Sequence, residues 1–175
     1  MDTPSETQTQ SRQSDKQQRG APTIALTGGR KPPQAVDVER RVLGAILLEK
    51  DALPKVSDLV QPEIFYLPAH TAIYAAIQTL FRDQAPIDLT TVTQQLEKEG
   101  KLEQVGGPAY IAELTFQVVS AANIEYHTRI LIEKFLKREM ISLTGDLQRK
   151  AFDETEDVFE LLDKAEQNLY ELSGN

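Results

Sequence analysis

Cysteine is absent from all 175 residues, which excludes a disulfide framework, a thiolate zinc site and a cysteine nucleophile. No apolar run approaches the roughly 18 residues that a membrane-crossing helix needs. The amino terminus, MDTPSETQTQSRQSDKQQRG, lacks the apolar core of a secretory signal, so the chain reads as cytoplasmic with no membrane attachment. An excess of positive charge is missing too. At a net charge of −8, tight binding of nucleic acid by this chain alone is disfavoured, because phosphate contacts need clustered Lys and Arg.

Catalytic patterns are equally scarce. The only Gly-Lys pair is Gly100-Lys101; Gln95 stands where a P-loop needs its first glycine, and Leu102 follows the lysine in place of Ser or Thr. Gly106-Gly107 has neither the spacing nor the preceding strand of a dinucleotide fingerprint and reads as a turn. The two histidines, His70 and His127, fall on different predicted elements without an H-E-x-x-H pattern, which argues against a metal centre. Glu97, Glu99 and Glu103 surround a helix end and a turn, where solvated charge explains them better than a carboxylate dyad. No Ser or Thr is paired with a base and an orienting acid. The chain is read as non-enzymatic, with no catalytic, cofactor or metal residue to name.

What is present is an all-α pattern behind a polar leader. Residues 1–31 hold five Lys/Arg and three Asp/Glu with many Gln, Ser and Thr, too little apolar surface to offset the entropy of ordering, so this tail is expected to be disordered. Residues 32–175 then carry −10. From Pro32 to residue 118 the apolar spacing is that of a compact bundle of about six short helices. Val38, Val42, Ala45 and Ile46 share one face of the first. Asp51 is placed to cap a short second helix running to Val60, with Pro54 in its first turn. Pro68 opens a helix carrying Ile73, Tyr74, Ile77, Leu80 and Phe81. Asp88 is the expected N-cap of the next, which Gly100 ends. Gly106-Gly107-Pro108 precedes one more, with Ile111 and Leu114. Leu43, Phe65, Tyr74 and Leu114 are assigned to the core.

Residues 119–175 differ. No proline follows Pro108, and the pattern predicts a helix from about Ser120–Asn123 to Ala151, then a second one from an N-cap at Thr155 to Leu172. About 28 residues in the first helix span roughly 42 Å, longer than a bundle of short helices is wide. A long antiparallel helical hairpin projecting from the bundle is expected. Its zipping stripes are Ile132, Leu136, Met140, Leu143 and Leu147 on one helix, and Val158, Leu161, Leu162, Ala165, Leu169 and Leu172 on the other. Ile130 and Ile141 fall about 120–180° from the first stripe, and Phe159 and Tyr170 share a separate side of the second helix. These four residues are the candidate interface, since one stripe per helix zips the hairpin and a second apolar face needs other cover. The competing reading packs all four within one subunit. The basic group Lys134, Lys137, Arg138, Arg149 and Lys150 alternates with Glu133, Glu139 and Asp146, the pattern of a solvated helix face with i,i+4 pairs.

From Pro32 to about Leu172 the chain resembles the amino-terminal domain of bacterial replicative DNA helicases of the DnaB type. The stretches that carry the resemblance are Pro32-Pro33, Val38-Glu39, Val42-Leu43-Gly44-Ala45-Ile46-Leu47, Phe65-Tyr66 with His70 and Ile73, and Pro86-Ile87-Asp88-Leu89. Val105-Gly106-Gly107, Tyr110-Ile111-Ala112-Glu113-Leu114, Ser120-Ala121-Ala122-Asn123-Ile124 and Arg138-Glu139-Met140-Ile141-Ser142 follow in order. Each is weak alone; together, at family spacing, they are specific. The resemblance implies a non-catalytic collar domain of a hexameric, ATP-dependent helicase, in which hairpins of neighbouring subunits pair and the carboxy-terminal domain of primase docks. A helicase loader is a further implied partner. ATP, Mg and DNA would belong to a RecA-like motor domain after a linker helix, and this sequence stops about where that linker would begin.

Two other classes compete: a stand-alone helical adaptor or loader, and a cryptic nucleic-acid-binding module. Fluorescence anisotropy with single-stranded DNA at low salt separates the last from the scaffold reading. The acidic balance predicts no saturable binding, and a saturable signal that weakens with salt would favour the nucleic-acid module.

Overall fold

A computed structural model describes residues 29–116, 118 and 120–174. The expected disorder of residues 1–31 concerns a segment of which 1–28 lie outside the described residues. From Pro32 onward the chain forms one compact unit. Among the described residues there is no strand, and the architecture is the expected all-α one: a bundle followed by a long hairpin.

The bundle contains α1 (Val36–Leu48), a single 3-10 turn (Pro62–Ile64), α2 (Pro68–Arg82), α3 (Leu89–Lys98) and α4 (Gly107–Phe116). Local chemistry sets most of these bounds. Pro68 occupies the first turn of α2, where its missing N–H costs nothing. Asp88 caps α3 by accepting from the amides of Thr90 (2.8 Å) and Thr91 (2.9 Å). The Thr91 hydroxyl in turn accepts from the Asp88 amide at 3.0 Å, a capping box closed by threonine. Gly100 ends the helix at φ +68, a left-handed conformation that favours glycine, and Lys101 N–H bonds back to the Leu96 carbonyl at 2.9 Å.

The segment expected as a second helix does not form one. Residues 51–59 make a run of turns, with Ser57 N–H on the Leu53 carbonyl and Val60 N–H on the Val56 carbonyl. Pro54 is not the cause, since a first-turn proline gives up no ladder bond. The four-residue bonds stand singly between three-residue turns (Ala52 to Glu49, Val56 to Leu53, Leu59 to Val56), so no continuous ladder builds. The segment still packs inward through Ala52, Leu53, Val56 and Val60, all buried.

The core is continuous through Val42, Leu43, Ile46, Ile73, Tyr74, Ile77, Leu96, Ile111 and Leu114, and takes in Ile124 and Leu131 from the long helix. The four residues assigned to it from sequence, Leu43, Phe65, Tyr74 and Leu114, are all buried. Tyr74 satisfies its hydroxyl by donating to the Val60 carbonyl at 3.3 Å, and burial pushes its pKa up to about 12.

The long helix, α5, runs Ile124–Ala151, and α6 runs Val158–Gly174. The cap of α6 is Asp157 and not Thr155: the Asp157 carboxylate accepts from the amides of Phe159 (2.8 Å) and Glu160 (3.1 Å). Thr155 is engaged one turn earlier, its hydroxyl and amide both on Asp153. A carboxylate that accepts two amides at a helix start outcompetes a hydroxyl two residues upstream.

Gly44 sets the spacing between α1 and α4. A Cβ there would lie 2.1 Å from the Leu114 carbonyl oxygen, a backbone atom that cannot rotate away. Alanine gains about 1 kcal/mol of helix propensity over glycine, but forced overpacking costs about 1–3 kcal/mol or more. Gly44→Ala should therefore be net destabilising by about 2 kcal/mol in chemical denaturation; a stabilised variant would mean the two helices are not held at this spacing.

Candidate functional site

The hairpin consists of two regions with different surroundings. In its first half α5 lies on the bundle, with Ile124, Thr128 and Leu131 buried. Beyond Leu131 its remaining fully buried residue is Gly145. No residue of α6 is buried.

Of the two expected zipping stripes, the α6 one is only partly used. Leu161, Ala165 and Leu172 are half-buried, whereas Val158, Leu162 and Leu169 remain half or more exposed. Two helices without a third cover a single narrow seam, and a stripe wider than that seam spills into solvent. Between the two helices lies a cleft of about 410 Å³. Phe135, Leu143 and Leu172 supply its apolar walls and Glu139, Asp146 and Arg149 part of its polar rim.

The four candidate interface residues form two pairs, each separated by eleven residues, which returns to within about 20° on a helix. Ile130 and Ile141 are half-buried. Phe159 and Tyr170 are 74% and 79% exposed. The pairs differ because α5 has the bundle as well as α6 to lean on, whereas α6 has α5 alone. Val158, Leu162 and Leu169 extend the open surface of α6 around the two aromatics.

The basic group on α5 divides. Lys137 pairs with Glu133, and Arg149 and Lys150 both reach Asp146 at 2.9 Å, as a solvated face predicts. The neighbouring Lys150 and Arg149 hold the Asp146 carboxyl below its ordinary range. Arg138 does not belong with them. Its guanidinium donates to the carbonyls of Pro33 (3.0 Å), Ile64 (2.8 Å) and Glu63 (3.4 Å). It also lies 5.7 Å from the Tyr66 ring centre and 5.8 Å from that of Phe135. Burial lowers its pKa while the charge of Glu39 raises it; an arginine stays charged through such shifts.

Glu39 is the other residue that the sequence did not single out. It is 1% exposed, and its carboxylate accepts from Tyr66 N–H (2.7 Å) and Leu67 N–H (3.4 Å). The same group lies 2.6 Å from His70 Nδ1, and His70 Nε2 lies 2.7 Å from the Tyr110 hydroxyl. In the tautomer whose Nδ1–H donates to the carboxylate, Nε2 accepts a hydrogen bond from the Tyr110 hydroxyl. His70, read against metal ligation from sequence, is thus the middle of a buried chain from α1 through α2 to α4. Among the described residues no group of three or more His, Asp or Glu side chains is arranged to hold a metal ion. No helix among them is long and apolar enough to cross a membrane.

Residues 31–133 match the model of the DnaB-like helicase N terminal domain. The chain belongs to that family. Within it, the chain is 48% identical over 145 residues to the replicative DNA helicase DnaB of Rhodothermus marinus, covering 83% of this chain and 15% of that protein. It is 37% identical over 148 residues to DnaB of Geobacillus stearothermophilus, covering 85% and 33%. The chain therefore spans a third or less of these helicases. The crystal structure of the N-terminal domain of DnaB helicase from Mycobacterium tuberculosis superposes with a TM-score of 0.76 at 36% identity, over 81% of this chain and 99% of that one. A DnaB-like replicative helicase, described together with its interactions with primase, matches at a TM-score of 0.66 and 28% identity over 79% and 31%. The DnaB-type resemblance read from the sequence thus holds for both the family and the fold.

The buried chain gives a stability prediction for this DnaB-type domain. Glu39→Ala strands the part-buried amides of Tyr66 and Leu67 and the fully buried His70 ring. Orphaning buried polar groups costs about 1–3 kcal/mol each, so a loss of about 3 kcal/mol or more is expected in urea unfolding. A loss below about 1 kcal/mol would show that the carboxylate is not what closes this site.

Proposed function

We propose that this domain is the non-catalytic N-terminal collar of a hexameric replicative helicase, and that its hairpin associates with other copies and docks the carboxy-terminal domain of primase. The observation that carries this reading is the lack of any buried residue on α6, beside Phe159 and Tyr170 on one open face. Family membership supports it, as does the likeness to a helicase described with its primase interactions. A monomer gains little from a 17-residue helix with no fully buried residue, and contiguous exposed apolar surface marks interaction sites.

ATP hydrolysis and DNA translocation are placed in the rest of the parent protein, with ATP and Mg as its ligands and the cytoplasmic replication machinery as its setting. A helicase loader is a further partner on the same reasoning, through the hairpin or the bundle. The four residues chosen from sequence acquire different roles here. Phe159 and Tyr170 supply direct contact, and Ile130 and Ile141, half-covered already, contribute less.

The test is light scattering coupled to size exclusion, with and without the primase carboxy-terminal domain. Truncating an aromatic at an interface centre costs about 2 kcal/mol, roughly a 30-fold loss of affinity. Phe159→Ala and Tyr170→Ala should weaken self-association, primase binding or both by about that factor with the helical signal intact. Should both variants keep parental mass and parental primase affinity, or lose only thermal stability, the hairpin face is not the interface.

A further inference from the structure

We propose that Arg138 is the pin that fixes the direction of the hairpin relative to the bundle, so that seating or releasing this one guanidinium sets where the far end of the arm points.

The argument starts from where α5 is held. Ile124, Thr128 and Leu131 are buried in the bundle and Phe135 packs half-buried against the same core, which fixes one end of the helix. A rod gripped over about three turns can still rock, and a polar fixed point further along is needed to set its direction. Arg138 supplies that point about 10 Å beyond Leu131, and the far end at Ala151 lies about 30 Å beyond Leu131. A displacement of 1 Å at Arg138 therefore becomes roughly 3 Å at the end of the helix.

The chemistry of the contact suits a releasable pin. Arg138 reaches three carbonyl oxygens that lie outside its own helix, on Pro33, Glu63 and Ile64. Its fork spans the entry segment and the 3-10 turn together, while the Tyr66 and Phe135 rings flank it. Its hydrogen bonds go to neutral carbonyls, which hold a guanidinium less strongly than a bidentate carboxylate would. A partner that offers an oxyanion beside the root of the arm can compete for the fork. A buried carboxylate pair would not yield that way.

The inference goes beyond the collar reading and is independent of it. Arm direction is measured within one copy, whereas the collar reading is tested by mass and partner affinity. The full chain has no cysteine, so paired Cys substitutions at Gln94 on α3 and Gln148 on α5, both exposed, take two nitroxide labels at known places. Pulsed electron–electron distance measurements, with labelled chain diluted in unlabelled chain, then report the angle of the arm. In Arg138→Met, which keeps the apolar stem and loses the fork, the distribution should be at least twice as wide as the parent's. Arg149→Met, on the same helix but in a solvated pair, should leave it unchanged. Arg138→Lys, which keeps the charge but cannot span the carbonyls, should also widen it, and it decides the matter if the Met variant fails to fold by circular dichroism. A folded Arg138 variant that keeps the parent's width, even with a lowered melting temperature, overturns the proposal and leaves Arg138 a stabilising contact only.

Discussion

The junction between the bundle and the hairpin turns on one short stretch of backbone, the 3-10 turn at Pro62–Ile64 and the residues that follow it. Two opposite charges hold it. The Glu39 carboxylate takes the amides of Tyr66 and Leu67, and the Arg138 guanidinium takes the carbonyls of Glu63 and Ile64. The backbone dipoles between them are satisfied at both ends, with cation against the carbonyl end as the dipole of a helical turn favours. Because Glu39 is on α1 and Arg138 on α5, the turn joins the start of the bundle to the root of the hairpin. Through His70 and Tyr110 the same carboxylate also reaches α2 and α4. A charge buried to this degree persists only when its hydrogen-bond partners are supplied in full, and here most of them come from one turn.

The sequence makes legible whatever local chemistry decides. Asp88, Gly100 and Pro68 announce their helix ends because each acts on backbone groups within four residues of itself. The length of α5 is legible because 28 residues without proline or a strong turn leave the chain no other choice. The failure over residues 51–60 is instructive: capping and proline placement permit a helix there, but Ala52, Leu53, Val56 and Val60 are buried by a run of turns without one. Thr155 is the expected cap of α6, and the observed register starts the helix two residues later, on Asp157.

The site was less legible, for a physical reason. Arg138 and Glu39 act on backbone atoms 27 to 105 residues away, and a peptide carbonyl or amide carries no residue-type signal to match against a charged side chain. By i,i+4 spacing Arg138 reads as one more solvated base, no different from Lys137. Its place in the Arg138-Glu139-Met140 stretch of the family resemblance was a clue that spacing could not turn into a role. Angular position alone treated Ile130, Ile141, Phe159 and Tyr170 as equivalents. Exposure separates them because the bundle shields α5 and does nothing for α6.

That asymmetry links stability to function. A 17-residue helix is near the length at which isolated helices are marginal in water, and α6 adds to this only the half-buried contacts of Leu161, Ala165 and Leu172 with the rest of the hairpin. Its free energy of local opening must therefore lie well below that of α1 or α2, whose faces fill the core. Any partner that covers Phe159 and Tyr170 stabilises the ordered arm by mass action, and it binds an arm whose direction is already set at the root. On the proposed collar reading, a rigid base with a loosely held outer helix combines the two needs of a docking element: a fixed approach that limits the entropy cost of association, and an apolar face left uncovered until a partner arrives.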